Sequence, residues 1–333
     1  MFIGKGYRFW MDGVEASRLS EITTDPSRLD DGNFWAVLTT FEGEYHFARF
    51  KKVVEKPFTA AETWNRLERP WKSSVDEIDF IAYVHKIREE IAAGGVYQVN
   101  ACRQLSHFMG DKPQGLDALF AAVLNAHPAP FASYLKIPGY EVASASPERF
   151  LSRNGSRIVT SPIKGTIRWN QEEFGDKDKS ENLMIVDLMR NDISQVCQPG
   201  TVEVSALFRQ EKHPGITHLV SDIEGTLHEG TSWKSILEAL LPPGSVSGAP
   251  KSSALSIIEK NEGVRGPYCG SLGWIHGDRA ELAVAIRTFW TTGDKYLRYG
   301  TGAGITWGSD AQAEWEETQL KARHLISIAG GEL

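Results

Sequence analysis

The apolar positions of this chain recur with two different periods. Residues 1–58 predict short strands and turns, and "FWAVLTTFEGEYHFARF" within them reads as a hairpin about Glu42-Gly43. After Ser74 the period lengthens. "SVDE" has the form of a capping box, with Glu77 three residues beyond Ser74. Ile78, Ile81, Val84, Ile87 and Ile91 then fall at helical spacing until Gly94. The pattern next predicts a strand at "VYQVNACRQLSHF", a helix at "GLDALFAAVLNAHP", and strands at "FASYLKI" and "YEVASASPERFLSR". The polar stretch "RWNQEEFGDKDKSEN" reads as a solvated loop leading into a largely buried helix, "ENLMIVDLMRND". Strands follow at "TVEVSALFRQ" and "HLVSDIEGTL", then a helix at "APKSSALSIIEKNEG". A meander of "YCGSLGWIH", "RAELAVAIRTFWTT" and "KYLRYGTG" turns at "HGD" and "GD", and a last helix runs from near Ser309 to Ile328.

Turns that join neighbouring strands, with helices set apart from them, indicate an α+β fold with antiparallel or mixed sheets. A length of 333 residues would allow about two domains. With no linker, repeat or low-complexity tract, we expect one domain over 1–333. Composition changes the picture little: 41% hydrophobic and 24% charged residues are ordinary for a globular chain. A net charge of −7 without basic blocks argues against nucleic acid as a partner. No apolar run is long enough to span a bilayer. The start, "MFIGKGYRFWMDG", lacks a continuous apolar core, so we expect no signal peptide, no membrane partner and a cytoplasmic location. Cys102, Cys197 and Cys269 are odd in number and far apart, with no metal-ligand spacing.

Candidate chemistry starts with "SPIKGT", residues 161–166. Lys164 is either a solvated turn lysine or a lysine held against apolar walls, its pKa lowered until it acts as a nucleophile. On the last helix Glu314, Glu317, Lys321 and His324 share one stripe. They form either a solvent face with Glu317–Lys321 pairing or a pair of carboxylates offered to a hard cation. Glu181 opens the apolar helix, as a cap or as a metal ligand. "YGTGAGI" is not a dinucleotide fingerprint, and "GSVSGAPKS" has Pro250 where a phosphate-binding loop has glycine. The glycines Gly300, Gly302 and Gly304 still allow backbone N–H groups to approach a carboxylate. Arg287, in the apolar "AIRTF", requires an anionic partner.

Taken in order, "YQVN", "SPERF", "PIKGT", "ENLMIVDLMRND", "HLVS", "SGAPK", "GSLGW", "AIRTF", "GTGAGI" and "EWEET" resemble the chorismate-utilising enzymes, over roughly residues 74–330. The resemblance implies an anthranilate synthase component I-like fold of two large packed, mostly antiparallel β-sheets surrounded by helices. Residues 1–73 would be a shortened strand-rich part and 74–330 the family core. Two positions choose a branch. Gln98 stands where the isochorismate and salicylate branch carries a water-activating lysine. Lys164 stands where anthranilate synthases usually carry alanine, and lysine there marks the aminodeoxychorismate synthase branch. That branch implies amination of chorismate at C4 with ammonia from a separate glutamine amidotransferase subunit. The alternatives are an anthranilate synthase component I and a non-catalytic chorismate-binding module. By resemblance Lys164 attacks C2 and Glu148 protonates the leaving C4 hydroxyl. Glu181 and Glu317 hold Mg²⁺, with Glu314 beside the site. Arg287 and the Gly302, Ala303 and Gly304 backbone bind carboxylates, and His218, Thr166 and Lys251 line the substrate side. No Leu-Leu-Glu-Ser motif occurs, so tryptophan feedback is not expected.

Overall fold

The computed structural model describes residues 6–168, 174–213 and 216–333. Six α-helices surround a large curled sheet among them: α1 (Glu77–Ala92), α2 (Leu116–Ala126), α3 (Asp176–Ser194), α4 (Trp233–Leu240), α5 (Lys251–Asn261) and α6 (Ala311–Ala329). Every strand ladder is antiparallel, as the turn-joined strand pattern predicts.

The ladders trace two halves. One runs Glu203–His213, Ile216–Thr226, Arg157–Ser161, Arg149–Asn154, Arg279–Val284, Ser271–His276, Phe34–Thr39 and Tyr45–Glu55. The other runs Val14–Thr23, Arg8–Met11, Phe131–Ile137, Tyr140–Ser146, Thr288–Thr291, Tyr296–Ile305 and Gln98–Phe108. The two expected sheets are these halves. They are continuous with each other because Val14–Thr23 also pairs with Tyr45–Glu55, through a bulge between Leu19 and Glu21. Arg18 takes a left-handed conformation there, with φ 63°, and a bulge of this kind bends a strand.

Alternation decides what each half covers. Phe9 and Met11 enter a core shared with Trp35, Val37, Leu151 and Leu272 of the first half, while Trp10 between them faces the other way. Trp10, Tyr134, Ala143 and Tyr299 pack against Leu119 and Phe120 of α2 and Leu325 and Ile326 of α6. The second half is therefore buried on both faces, which accounts for strands that read as nearly continuous apolar runs.

Four sequence expectations shift. The cap of α1 is Asp76, whose side chain accepts from Asp79 N at 2.9 Å. The Ser74 hydroxyl instead accepts from Gln104 N at 3.0 Å. Helix α3 begins at Asp176, so Glu181 lies in its second turn, and Asp176 and Asp178 carry the favourable first-turn charge. "YEVASASPERFLSR" is two strands, Tyr140–Ser146 and Arg149–Asn154, interrupted at Pro147-Glu148. "RAELAVAIRTFWTT" is likewise Arg279–Val284 and Thr288–Thr291, interrupted before Thr288. At both interruptions the chain leaves one half of the sheet and enters the other. Proline has no N–H for a ladder, and Arg287 adopts φ 54°, so neither segment continues its strand. The two crossings lie side by side. Val284 N donates to Glu148 O, and Ala145 N to Arg287 O, both at 3.0 Å. The Ser146 hydroxyl donates to Val284 O at 2.6 Å.

Candidate active site

Glu148 and Arg287 thus come from the two crossings, and the strand Gln98–Phe108 supplies a third wall. Glu148 is 4% exposed. Its carboxylate accepts hydrogen bonds from the Ser245 hydroxyl and the Ile163 amide, yet burial outweighs both and raises its pKa to about 7. Its Oε1 makes no hydrogen bond.

Lys164 is half-buried in the strand Ile163–Arg168. Its ammonium donates to Ser245 O at 3.0 Å. Burial lowers its pKa, and Lys321 lowers it further, while Glu148, Glu181 and Glu317 oppose the shift. That one ammonium therefore feels Glu148 from the first crossing, Glu181 from α3, and Glu317 and Lys321 from α6. Neither crossing nor helix is near the others in sequence, and the fold brings them to one nitrogen.

Glu317 pairs with Lys321 at 2.5 Å, and Lys321 Nζ donates to Gly302 O at 3.1 Å. Glu314 is buried one turn earlier on α6. Arg287 donates to the backbone carbonyl of Lys321, which ties the second crossing to α6. His218 is buried, and its register partner is Thr166, two residues from Lys164. The Thr166 side chain lies outside the described residues.

Gly302 and Gly304 pair with Cys102 and Asn100, and Ala303 between them is fully buried. A Cβ on Gly304 would stand 2.4 Å from Gln98 Nε2 and 3.7 Å from Lys164 Nζ. The glycine there is a matter of close approach, not of unusual dihedrals. Gln98 is 1% exposed, and neither amide atom has a hydrogen-bond partner. A buried polar group of that kind is costly in isolation, so it points to a ligand contact. Gly304→Ala should push the amide aside and raise KM for the ligand by about tenfold or more, with thermal unfolding little changed. Steady-state kinetics of the variant would show it. An unaltered KM would mean that the amide does not face ligand.

Lys251 stands apart from this group. Its ammonium pairs with buried Asp192 of α3 at 2.6 Å and donates to Leu240 O at 3.2 Å. In this structure it joins α5 to α3 and α4. Sequence reasoning passed over Ser245, which touches both Lys164 and Glu148, and treated Lys321 only as the partner of Glu317. The signal for Ser245 was present in "GSVSG", where a serine sits in a glycine-bounded turn, but nothing local says what it meets. A separate cavity of about 340 Å³ is lined by residues flanking the site, including Pro147, Arg149 and Ile163, and by neither Glu148 nor Lys164. All three cysteines are free and buried. Among the described residues no helix is long and apolar enough to cross a membrane.

A buried carboxyl of raised pKa, a lysine of lowered pKa that it acts on, and a close-packed glycine strand beside that lysine are the kind of grouping found at enzyme sites. Residues 22–327 match the family of chorismate binding enzymes, and the chain belongs to that family. Over 274 residues it is 36% identical to anthranilate synthase component 1 1 of Haloarcula marismortui, covering 78% of this chain and 55% of that protein. Over 275 residues it is 34% identical to aminodeoxychorismate synthase component 1 of Salmonella typhimurium, covering 78% and 60%. The chain thus spans little more than half the length of either relative. The fold matches anthranilate synthase component I from Streptococcus pneumoniae with a TM-score of 0.81 at 21% identity, over 98% of this chain and 94% of that one. It matches the menaquinone-specific isochorismate synthase MenF from Escherichia coli with a TM-score of 0.81 at 20% identity, over 97% and 88%.

Proposed function

We propose that this chain aminates chorismate at C4 to give 4-amino-4-deoxychorismate, a step toward para-aminobenzoate and folate. The observation that carries the reading is Lys164. It is a lysine in P-I-K-G-T, half-buried, held by a carbonyl and within reach of a carboxyl whose pKa is raised to about 7. The neutral amine forms the Lys164 Nζ–C2 bond, the ring double bonds shift, and the C4–O bond breaks. Glu148 gives its proton to the departing hydroxyl, which leaves as water. Ammonia then forms the C4–N bond, the C2–Nζ bond breaks, and the Glu148 carboxylate takes the proton that the new ammonium sheds. A glutamine amidotransferase partner is the proposed source of the ammonia.

Arg287 is suited to a substrate carboxylate, because a guanidinium offers a planar fork of donors. Glu181 and Glu317 fit a hard cation: both are carboxylates, they come from different helices, and both act on the same ammonium. Mg²⁺ takes one or two carboxylates and leaves the remaining positions to water and substrate. Such an ion, held by Glu181 and Glu317, would supply positive charge for a substrate carboxylate. Excess EDTA is expected to stop turnover and Mg²⁺ to restore it, measured as product formed per unit time. Full activity in EDTA would remove the metal from the account.

The deciding experiment is mass analysis of the product made from chorismate, Mg²⁺ and an ammonium salt. Retention of the enolpyruvyl group with hydroxyl replaced by amine supports the proposal. Anthranilate with pyruvate would overturn it. Glutamine in place of ammonium should give product only when a glutaminase subunit is added.

A further inference from the structure

One residue touches both reacting side chains through two different groups. Ser245, 5% exposed, sits in the short turn Gly244–Val246. Its backbone carbonyl accepts from Lys164 Nζ at 3.0 Å. Its hydroxyl donates to the Glu148 carboxylate.

The turn is itself clamped. Arg265, 1% exposed, donates to Val246 O at 3.1 Å and to Asn100 O at 2.7 Å. Both oxygens of Glu262 hold the same guanidinium, at 2.8 and 2.9 Å, and it lies 4.1 Å over the Phe41 ring. Asn100 N donates to Ser247 O at 2.9 Å. The Ser245 turn and the Gln98–Phe108 strand are thus fixed to each other by a buried cation paired with Glu262. Gly244 lets α3 approach: a Cβ there would stand 2.9 Å from Leu188 Cδ2.

We propose, resting on the C4 amination above, that Ser245 is a positioning residue that sets Glu148 and Lys164 as an acid–nucleophile pair. The hydroxyl occupies one side of the Glu148 carboxyl and leaves Oε1, which has no hydrogen bond, for the departing hydroxyl. The carbonyl takes one N–H of the Lys164 amine. A neutral amine has a single lone pair, so fixing an N–H restricts where that pair points. The two contacts come from one residue, so proton donor and nucleophile keep their relative placement.

Side-chain substitution separates the two roles, because only the hydroxyl is lost. With chorismate, Mg²⁺ and an ammonium salt, Ser245→Ala is expected to lower kcat about 10- to 100-fold, the worth of a hydrogen bond to a charged group. KM for chorismate should hold within about twofold, because the proposed role of the hydroxyl is to orient Glu148 and not to bind substrate. Ser245→Thr should restore most of kcat, while the isosteric Ser245→Val should not. That pair also serves if the alanine variant folds poorly. On a Glu148→Gln background, Ser245→Ala should cost little more, since the group it orients has lost its proton. Equal rates for the threonine and valine variants, or an alanine variant with normal kcat or with raised KM alone, would overturn the inference while leaving the reaction in place. A wild-type chain that makes no 4-amino-4-deoxychorismate overturns the functional reading and this inference with it.

Discussion

Lys164→Ala is expected to abolish amination of chorismate, with a loss of about a thousandfold or more, while the fold survives. The site is expected to tolerate a methyl there because, among the described residues, the hydrogen bond lost is the one to Ser245 O, and Glu148 can stay neutral with its pKa raised to about 7. The covalent role has its own signature. Without ammonia nothing external displaces the amine from C2, so the adduct should accumulate. Intact-protein mass spectrometry of the wild-type chain mixed with chorismate and Mg²⁺ should show an added mass equal to chorismate less water, and the alanine variant should not. Adduct formation should slow as pH falls, because protonation removes the lone pair that burial otherwise helps to keep free. A wild-type chain that never carries the adduct, or an alanine variant that aminates at the normal rate, would leave Lys164 an electrostatic support.

Glu148→Gln is expected to cut kcat by about 10²- to 10⁴-fold, the usual worth of a positioned acid. The same change should stabilise the fold. In the folded chain the carboxyl titrates near 7 against a reference of 4.5. Its burial is harmless below the unfolded pKa, where both states are protonated. As pH rises through that window the folded state alone holds the proton, and stability falls. Above about 7 the full cost applies, roughly 3 kcal/mol. The glutamine variant avoids it, so its thermal midpoint should match wild type near pH 4 and exceed it at pH 8. Wild-type activity should decline as pH rises past 7 for the same reason: the acid is lost. Equal midpoints at pH 8 would show that the carboxylate is solvated, and an unchanged rate would show that it is not the acid. This opposition of activity and stability is what a buried functional carboxyl entails.

Much of the fold was legible because its signals are local. The Glu42-Gly43 turn, the helical spacing after Ser74 and the period-2 strands each depend on residues close in sequence. The misplacements share one cause. Ser74 and Asp76 compete for the same cap, and the choice falls to Asp76 because the Ser74 hydroxyl is engaged by Gln104, thirty residues on. The two strands read as unbroken contain no local stop signal strong enough to reveal a crossing. Pro147 permits one, and Arg287 pays for the other with a left-handed backbone. Lys251 shows the converse. Its motif is in place, yet Asp192, far off in sequence, holds the ammonium.

By itself the sequence determined the residue types that chemistry needs and their order along the chain: a lysine before Gly-Thr, a carboxyl after Ser-Pro, and carboxylates on two helices. It also determined the periods that make strands and helices of the segments carrying them. Only the tertiary structure decided that Glu148 and Arg287 occupy adjacent crossings between two halves of one sheet. It also decided that Ser245 meets both Glu148 and Lys164, and that Glu148 keeps its proton near neutral pH. The reason is the range of the forces involved. Turn and helix preferences act over a few residues, whereas desolvation sums over every atom that excludes water, and those atoms come from strands and helices throughout the chain.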